Sequence, residues 1–239
     1  MADESNFSDA TVQMSPEDVA RMHQQFADQN PGGRSPRPGA TAGSQTASII
    51  GGIGAIILLA AMVFGFLPKL QGFGDDFVMP LFIAATAGYI ALAVGLFGTA
   101  SRTSNIGVLA GVFALLLGLV YSTVLLAEAH VLSFGDVDVI VMYGTFFGPA
   151  LAWTFIAVWA FAGVRPLSPG LGTTAGICAM IGGLAHGAAY GLLMTGTFDR
   201  GDQEDTFMML DMAALGGMAI AAILLAVAFF GPIARASRR

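Results

Sequence analysis

IGVLAGVFALLLGLVYSTVLLA, residues 106–127, runs for 22 residues without a single charge. A helix needs about 20 apolar residues to cross a hydrocarbon core. In lipid, every backbone N–H and C=O must be satisfied within the protein, which leaves helices or closed barrels. A barrel strand would alternate polar and apolar residues over about ten positions. No such alternation occurs here, so the stretch reads as a membrane-spanning helix.

The same pattern recurs at roughly 48–67, 78–98, 139–163, 172–195 and 208–232. The composition agrees. The chain has 239 residues, of which 55% are hydrophobic and 11% charged, and its mean hydropathy is +0.73. Soluble domains carry about 25% charged residues, so that class is excluded. The sequence predicts an all-α integral membrane protein: a six-helix transmembrane bundle over 47–233, a disordered N-terminal cytoplasmic tail over 1–46 and a short basic C-terminus over 234–239.

The tail lacks the basic start and short apolar core of a signal peptide, so the first span is expected to insert uncleaved. Its segment PGGRSPRPGATAGSQT, residues 31–46, reads as a flexible linker. Before it, SPEDVARMHQQFADQN opens with Ser15 as N-cap and Pro16 at the first helical position. Val19, Met22 and Phe26 then recur at helical spacing, which predicts a short amphipathic helix over 15–29. Such a helix either docks on a partner or forms transiently, since isolated helices this short are marginal. The tail is net acidic and carries no basic, aromatic-interleaved patch, so no nucleic acid is expected as partner.

Lysine and arginine favour the cytoplasmic side of a membrane. With the N-terminus inside, eight of the ten basic residues lie on inner segments, and only Lys69 and Arg200 lie outside. Beyond the tail, every carboxylate falls at the outer face, from Asp75 and Asp76 to Asp205 and Asp211. The expected placement is a plasma membrane, with both termini cytoplasmic. The loop FDRGDQEDTF lacks EF-hand spacing and reads as a solvated acidic loop. The lone Cys178 lies within the fifth run, so no intrachain disulfide forms.

The chain contains 32 glycines, many of them inside the runs. In the fifth run, Ala175, Ala179, Gly183, Gly187 and Gly191 follow at four-residue intervals. The fourth run places Gly144 and Gly148 beside Pro149. Small residues at this spacing let helices approach closely in lipid, where no hydrophobic force drives them together. The fifth helix is therefore expected at the centre of the bundle, with Gly183, Gly187 and Gly191 touching another helix. The same small-residue faces, or the 15–29 segment, offer docking to a membrane-protein partner.

Within GGLAHGAAYGLLM, residues 182–194, His186 and Tyr190 share a helix face beside the glycine stripe. Counting ~1.5 Å per residue from Ala175, they lie roughly 17 and 23 Å into the membrane. Asp211 enters from the outer face about one turn into the sixth run, and Tyr121 reaches a similar depth. His186, Tyr190 and Asp211 are thus the candidate intramembrane polar site, either a titratable relay or ordinary interhelical hydrogen bonding. Methionines 79, 142, 194, 208, 209 and 212 near the outer helix ends raise Cu(I), but methionine is also a general apolar filler. No metal or cofactor is expected. No catalytic motif and no nucleophile–base pair can be assembled, which weighs against an enzyme. The expected function is a non-enzymatic accessory or assembly subunit of a membrane complex. The alternative is a small-solute or proton-linked transporter or channel using the outer polar site.

Overall fold

The computed structural model describes residues 40–71, 78–103, 105–129, 131, 134–194 and 201–237. Six long helices fill this range: α1 (Ala40–Gln71), α2 (Val78–Thr103), α3 (Asn105–Glu128), α4 (Phe134–Trp159), α5 (Pro169–Met194) and α6 (Gly201–Ala228). Each contains a segment long and apolar enough to cross a membrane, from Gln45–Phe64 in α1 to Asp205–Ala236 in and beyond α6. The described residues contain no strand. The 15–29 segment lies outside the described residues.

Several helices outrun the apolar stretches that identify them. α1 begins at Ala40, inside the segment expected to be linker, and α4 and α6 begin at Phe134 and Gly201. Hydropathy marks where lipid lies, whereas helical hydrogen bonding continues into polar sequence. Two helices also change character at their ends. α4 passes into a π-helical turn at Ala160–Val164, and α6 does so at Phe229–Ile233, around Pro232, before a last turn at Ala234–Ser237.

The links at one face are short. Ser168 accepts the first bond of α5 from the Gly172 N–H at 2.9 Å, and Pro169 takes the first helical position, where a missing N–H costs nothing. At the opposite face the chain passes between α1 and α2, α3 and α4, and α5 and α6. Its carboxylates cluster there in sequence, and it is called the acidic face below.

Neighbouring helices are held together where side chains are absent. A methyl group built on Gly54 of α1 would collide with the Leu92 backbone of α2, and one on Gly51 would lie 2.7 Å from the Gly95 Cα. On α5 and α6, a methyl group on Gly182 would lie 2.8 Å from the Met218 nitrogen, and one on Gly217 would lie 2.9 Å from the Cys178 oxygen. Gly183 meets the Ala150 carbonyl of α4 at 3.0 Å, and Gly187 meets the Ala150 Cβ at 3.1 Å. Gly144 and Gly148 of α4 face Val120 and Leu117 of α3. Ser48 of α1 donates to the Phe229 carbonyl at 2.6 Å, in the π turn that follows α6 and contains Pro232. Hydroxyls often serve backbone groups disturbed by a membrane proline.

Two expectations need correction. Gly191 has nothing within 4 Å of its Cβ direction. At that level Phe146 of α4 and Phe207 of α6 lie against Tyr190, so ring size sets the helix spacing. The expectation for α5 holds only in part: it packs against both α4 and α6, yet only 22% of its most apolar 18-residue stretch is buried, against 44% for α4 and α6. Glycines draw a helix close to its neighbours but contribute no side-chain mass to a core. The large fully buried residues belong instead to α4 (Trp153, Ile156, Trp159), α2 (Leu92, Leu96), α1 (Leu58), α3 (Leu117), α6 (Leu225) and the two π turns (Val164, Phe229). On α5, Ile177, Ile181 and Leu184 face outwards, about half exposed, as lipid contact requires.

Gly182→Ala is therefore expected to lower the melting temperature in detergent, at a cost of about 1–3 kcal/mol, because its methyl meets backbone that must shift. Gly191→Ala, built into open space, is expected to match or exceed the parent, since alanine favours helix over glycine by roughly 1 kcal/mol. Equal losses in the two variants would contradict this packing.

Candidate functional site

All six helices contribute to one cavity of about 280 Å³ in the half of the bundle nearer the acidic face. α1 supplies Leu58, Ala61 and Met62, and α2 supplies Leu81, Phe82, Ala85 and Tyr89. Tyr121 comes from α3, Pro149 from α4, His186 and Tyr190 from α5, and Asp211, Leu215 and Met218 from α6. The three polar residues singled out from the sequence, His186, Tyr190 and Asp211, thus share one wall-to-wall space. The glycines at 183, 187, 144 and 148 lie in helix contacts, as described above. Only their neighbour Pro149 reaches the cavity.

The local geometry follows from helical spacing. His186 and Tyr190, one turn apart, lie with ring centres 4.5 Å apart and planes tilted by 46°. Tyr190 is held on two further sides, stacked on Phe146 at 4.8 Å and edge-on to Phe207 at 5.8 Å. Asp211 is 7% exposed and lies close enough to Tyr190 to interact with it electrostatically. Tyr121 stacks on Tyr89 at 5.8 Å and lies tilted by 50° against Phe82 at 5.6 Å. The walls are therefore aromatic, studded with three phenol hydroxyls, one imidazole and one carboxylate.

Tyr89 was not singled out from the sequence. It is 3% exposed, and its oxygen accepts the Trp153 indole N–H of α4 at 2.9 Å. Nothing near Tyr89 in sequence announces this, because the partner is 64 residues away. The one available clue is that the second run contains a single tyrosine among apolar residues, and buried tyrosines find partners.

Below the Tyr89–Trp153 pair, away from the acidic face, the centre is filled. Trp159 stacks on Phe229 at 5.4 Å and donates to Thr99 at 3.2 Å, and Thr99 donates to the Leu96 carbonyl at 2.8 Å. Trp153, Trp159 and Phe229, none of them exposed, thus form a layer behind the Tyr89 end of the cavity without lining it. Methionines 79, 142, 194, 208, 209 and 212 all lie on exposed helix faces and do not gather around the cavity. Among the described residues, no three His, Cys, Asp or Glu side chains form a metal-ligand group.

Tyr89→Phe leaves the Trp153 N–H buried without its acceptor and is expected to destabilise the bundle by about 1–3 kcal/mol. Tyr143→Phe, at a half-exposed position, is expected to change little. The pair Tyr89→Phe with Trp153→Phe should cost less than the sum of the single changes, and a thermal double-mutant cycle measures that coupling. Compared with protein-family models, curated proteins and solved structures, the chain matches none, so the chemistry of this site is what its own residues carry.

Proposed function

We propose that the protein binds a small solute within the membrane, in the cavity of His186, Tyr190 and Asp211, as a transporter or channel does. One observation carries this reading: six helices converge on a space that brings His186, Asp211 and three tyrosines together between apolar and aromatic walls. Small-molecule sites have this character, and at about 280 Å³ the space is near the low end of their usual size. A bundle kept only as scaffold gains nothing from a cavity, because an unfilled space forfeits packing contacts.

The accessory-subunit reading has less support. It relies on small-residue faces offered to a partner, yet Gly51, Gly54, Gly88, Gly95, Gly182, Gly183 and Gly217 are occupied by contacts within the chain. The charge partition favours a plasma-membrane orientation with both termini cytoplasmic, which puts the acidic face, and the nearer mouth of the cavity, outside.

Two measurements test this reading. In a Cys178→Ala background, Asp202→Cys is expected to react with a membrane-impermeant thiol reagent on intact cells, and Ser101→Cys is expected to react only after lysis. The opposite pattern inverts the topology. For binding, the purified protein in nanodiscs is screened with small cationic, neutral and anionic solutes, read by thermal stabilisation and by flux into proteoliposomes. A solute that stabilises the parent should lose most of its effect in Tyr121→Leu, which strips a cavity wall. His186→Gln keeps hydrogen-bonding capacity but cannot titrate near neutral pH. Unchanged flux in that variant, at all pH values tested, would mean that the histidine positions solute and does not relay protons. If no solute of any charge class binds or moves, the reading fails.

A further inference from the structure

Independently of the solute cavity, we infer that the bundle carries a second site at the face opposite the acidic one, called the basic face here. It is a cavity that takes the phosphate group of a net-anionic membrane phospholipid, held by Arg235 and Arg165.

Two helix ends build the site. A cavity of about 340 Å³ is lined by Leu167, between α4 and α5, and by Pro232, Arg235 and Ala236, in and beyond the π turn that follows α6. The stack of Trp159 on Phe229 brings these segments together, since Trp159 immediately precedes the first π turn and Phe229 begins the second. The turn carrying Leu167 is fixed. Arg165 donates its backbone N–H to the Ala160 carbonyl at 3.0 Å, and Leu167 and Ser168 donate theirs to Val164 at 3.0 and 2.9 Å. A methyl group built on Gly172 of α5 would collide with the Arg165 backbone. Arg235 is steadied through its Nε, which donates to the Gly231 carbonyl at 3.4 Å and leaves both terminal amino groups of the guanidinium for a guest.

Depth and charge identify the guest. The apolar spans of α4 and α6 end at Val164 and Ala236, and that of α5 begins at Pro169. The cavity therefore lies where headgroups meet the hydrocarbon. Leu167 and Phe230, nearly half exposed on the same two segments, offer apolar surface to acyl chains, which a soluble anion would not use. Arg102, Arg165, Arg235, Arg238 and Arg239 lie in the segments 99–105, 164–171 and 234–239, which contain no lysine and no carboxylate. The membrane's own charge preference accounts for basic residues at one face, but not for a cavity with an arginine in its wall. A guanidinium is planar and pairs bidentately with phosphate, where an ammonium is a point charge. A zwitterionic headgroup would bring a cation as well, and these segments offer it no carboxylate. A net-anionic headgroup is the better match, and basic pockets between membrane helices bind such headgroups by this chemistry.

The test is lipid retention by the full-length protein in mild detergent. Phosphatidylglycerol is set against phosphatidylcholine with the same chains, and inorganic phosphate is the free-ion arm. Binding is read by native mass spectrometry and by thermal stabilisation. Phosphatidylglycerol is expected to stay bound and to raise the melting temperature, with a preference over phosphatidylcholine of roughly fivefold or more. Arg235→Gln is expected to weaken its binding roughly fivefold. Arg235→Lys should recover part of that loss, because the charge stays while the planar fork goes. Arg200→Gln removes the same charge near the acidic face and should leave binding unchanged. The lipid comparison in the parent needs no variant, so it stands even if Arg235→Gln folds poorly. Equal retention of the two lipids, or stabilisation by inorganic phosphate that matches phosphatidylglycerol, overturns the inference. So does a preference undiminished in well-folded Arg235→Gln and Arg165→Gln proteins. A preference lost in Arg238→Gln but kept in Arg235→Gln overturns it as well, because the lipid would then sit outside the cavity.

Discussion

The architecture depends on backbone touching backbone. Helices in lipid gain nothing from hiding apolar surface from one another, so their association rests on dispersion contacts and interhelical hydrogen bonds. Both fall steeply with distance. At Gly54 against Leu92, and at Gly217 against Gly182, no side chain intervenes between one helix and the next. α1 is thereby fixed on α2 and α5 on α6, while Ser48 ties α1 to the end of α6. The two termini of the bundle sequence are thus drawn together, and six consecutive helices close on themselves.

Where these close contacts fall decides where space is left. On α1, Leu58, Ala61 and Met62 follow Gly54 towards the acidic face. On α2, Leu81, Phe82 and Ala85 precede Gly88 on that same side. His186 and Tyr190 lie beyond Gly182 and Gly183 of α5, and Asp211 and Leu215 precede Gly217 of α6. Helices pinched near mid-membrane and propped by rings at the acidic end must enclose a volume between the two. Tyr89 and Met218, each next to a pinching glycine, form the bottom of that volume. The cavity is a consequence of glycine placement on one side and aromatic bulk on the other.

How legible was this in the sequence? Six spans could be read directly, because the absence of charge over 20 residues has few meanings. The grouping of His186, Tyr190 and Asp211 was also legible, because helical rise fixes depth and a short link makes α5 and α6 neighbours. Lateral position was not. Nothing in the glycine stripe of α5 says that the helix adds little bulk to the core, since the stripe reports closeness to neighbours and not side-chain volume. Gly191 belongs to the same four-residue series as Gly183, yet the rings of Phe146 and Phe207 decide its surroundings from other helices. Tyr89 is the clearest omission. Its importance rests on Trp153, and pairings between distant helices leave no periodic trace in either segment.

The buried rings beneath the cavity bear on what kind of membrane device this fold can be. Trp153, Trp159 and Phe229 are wholly buried, and Trp153 and Trp159 are each anchored by a hydrogen bond to α2. Trp153 lies directly behind Tyr89, so this layer backs the Tyr89 end of the cavity. On the solute-binding proposal, helix movement at this layer would be felt at the site. Such movement has a structural cost and a structural opportunity. The α2–α4 bonds would have to break or travel together, whereas the π turns ending α4 and α6 border the same layer. These turns depart from regular helical bonding, and π turns within helices often occur at functional sites. Trp159 immediately precedes the first turn and Phe229 begins the second, with their rings stacked on each other. A shift in either turn would therefore move these two stacked rings together.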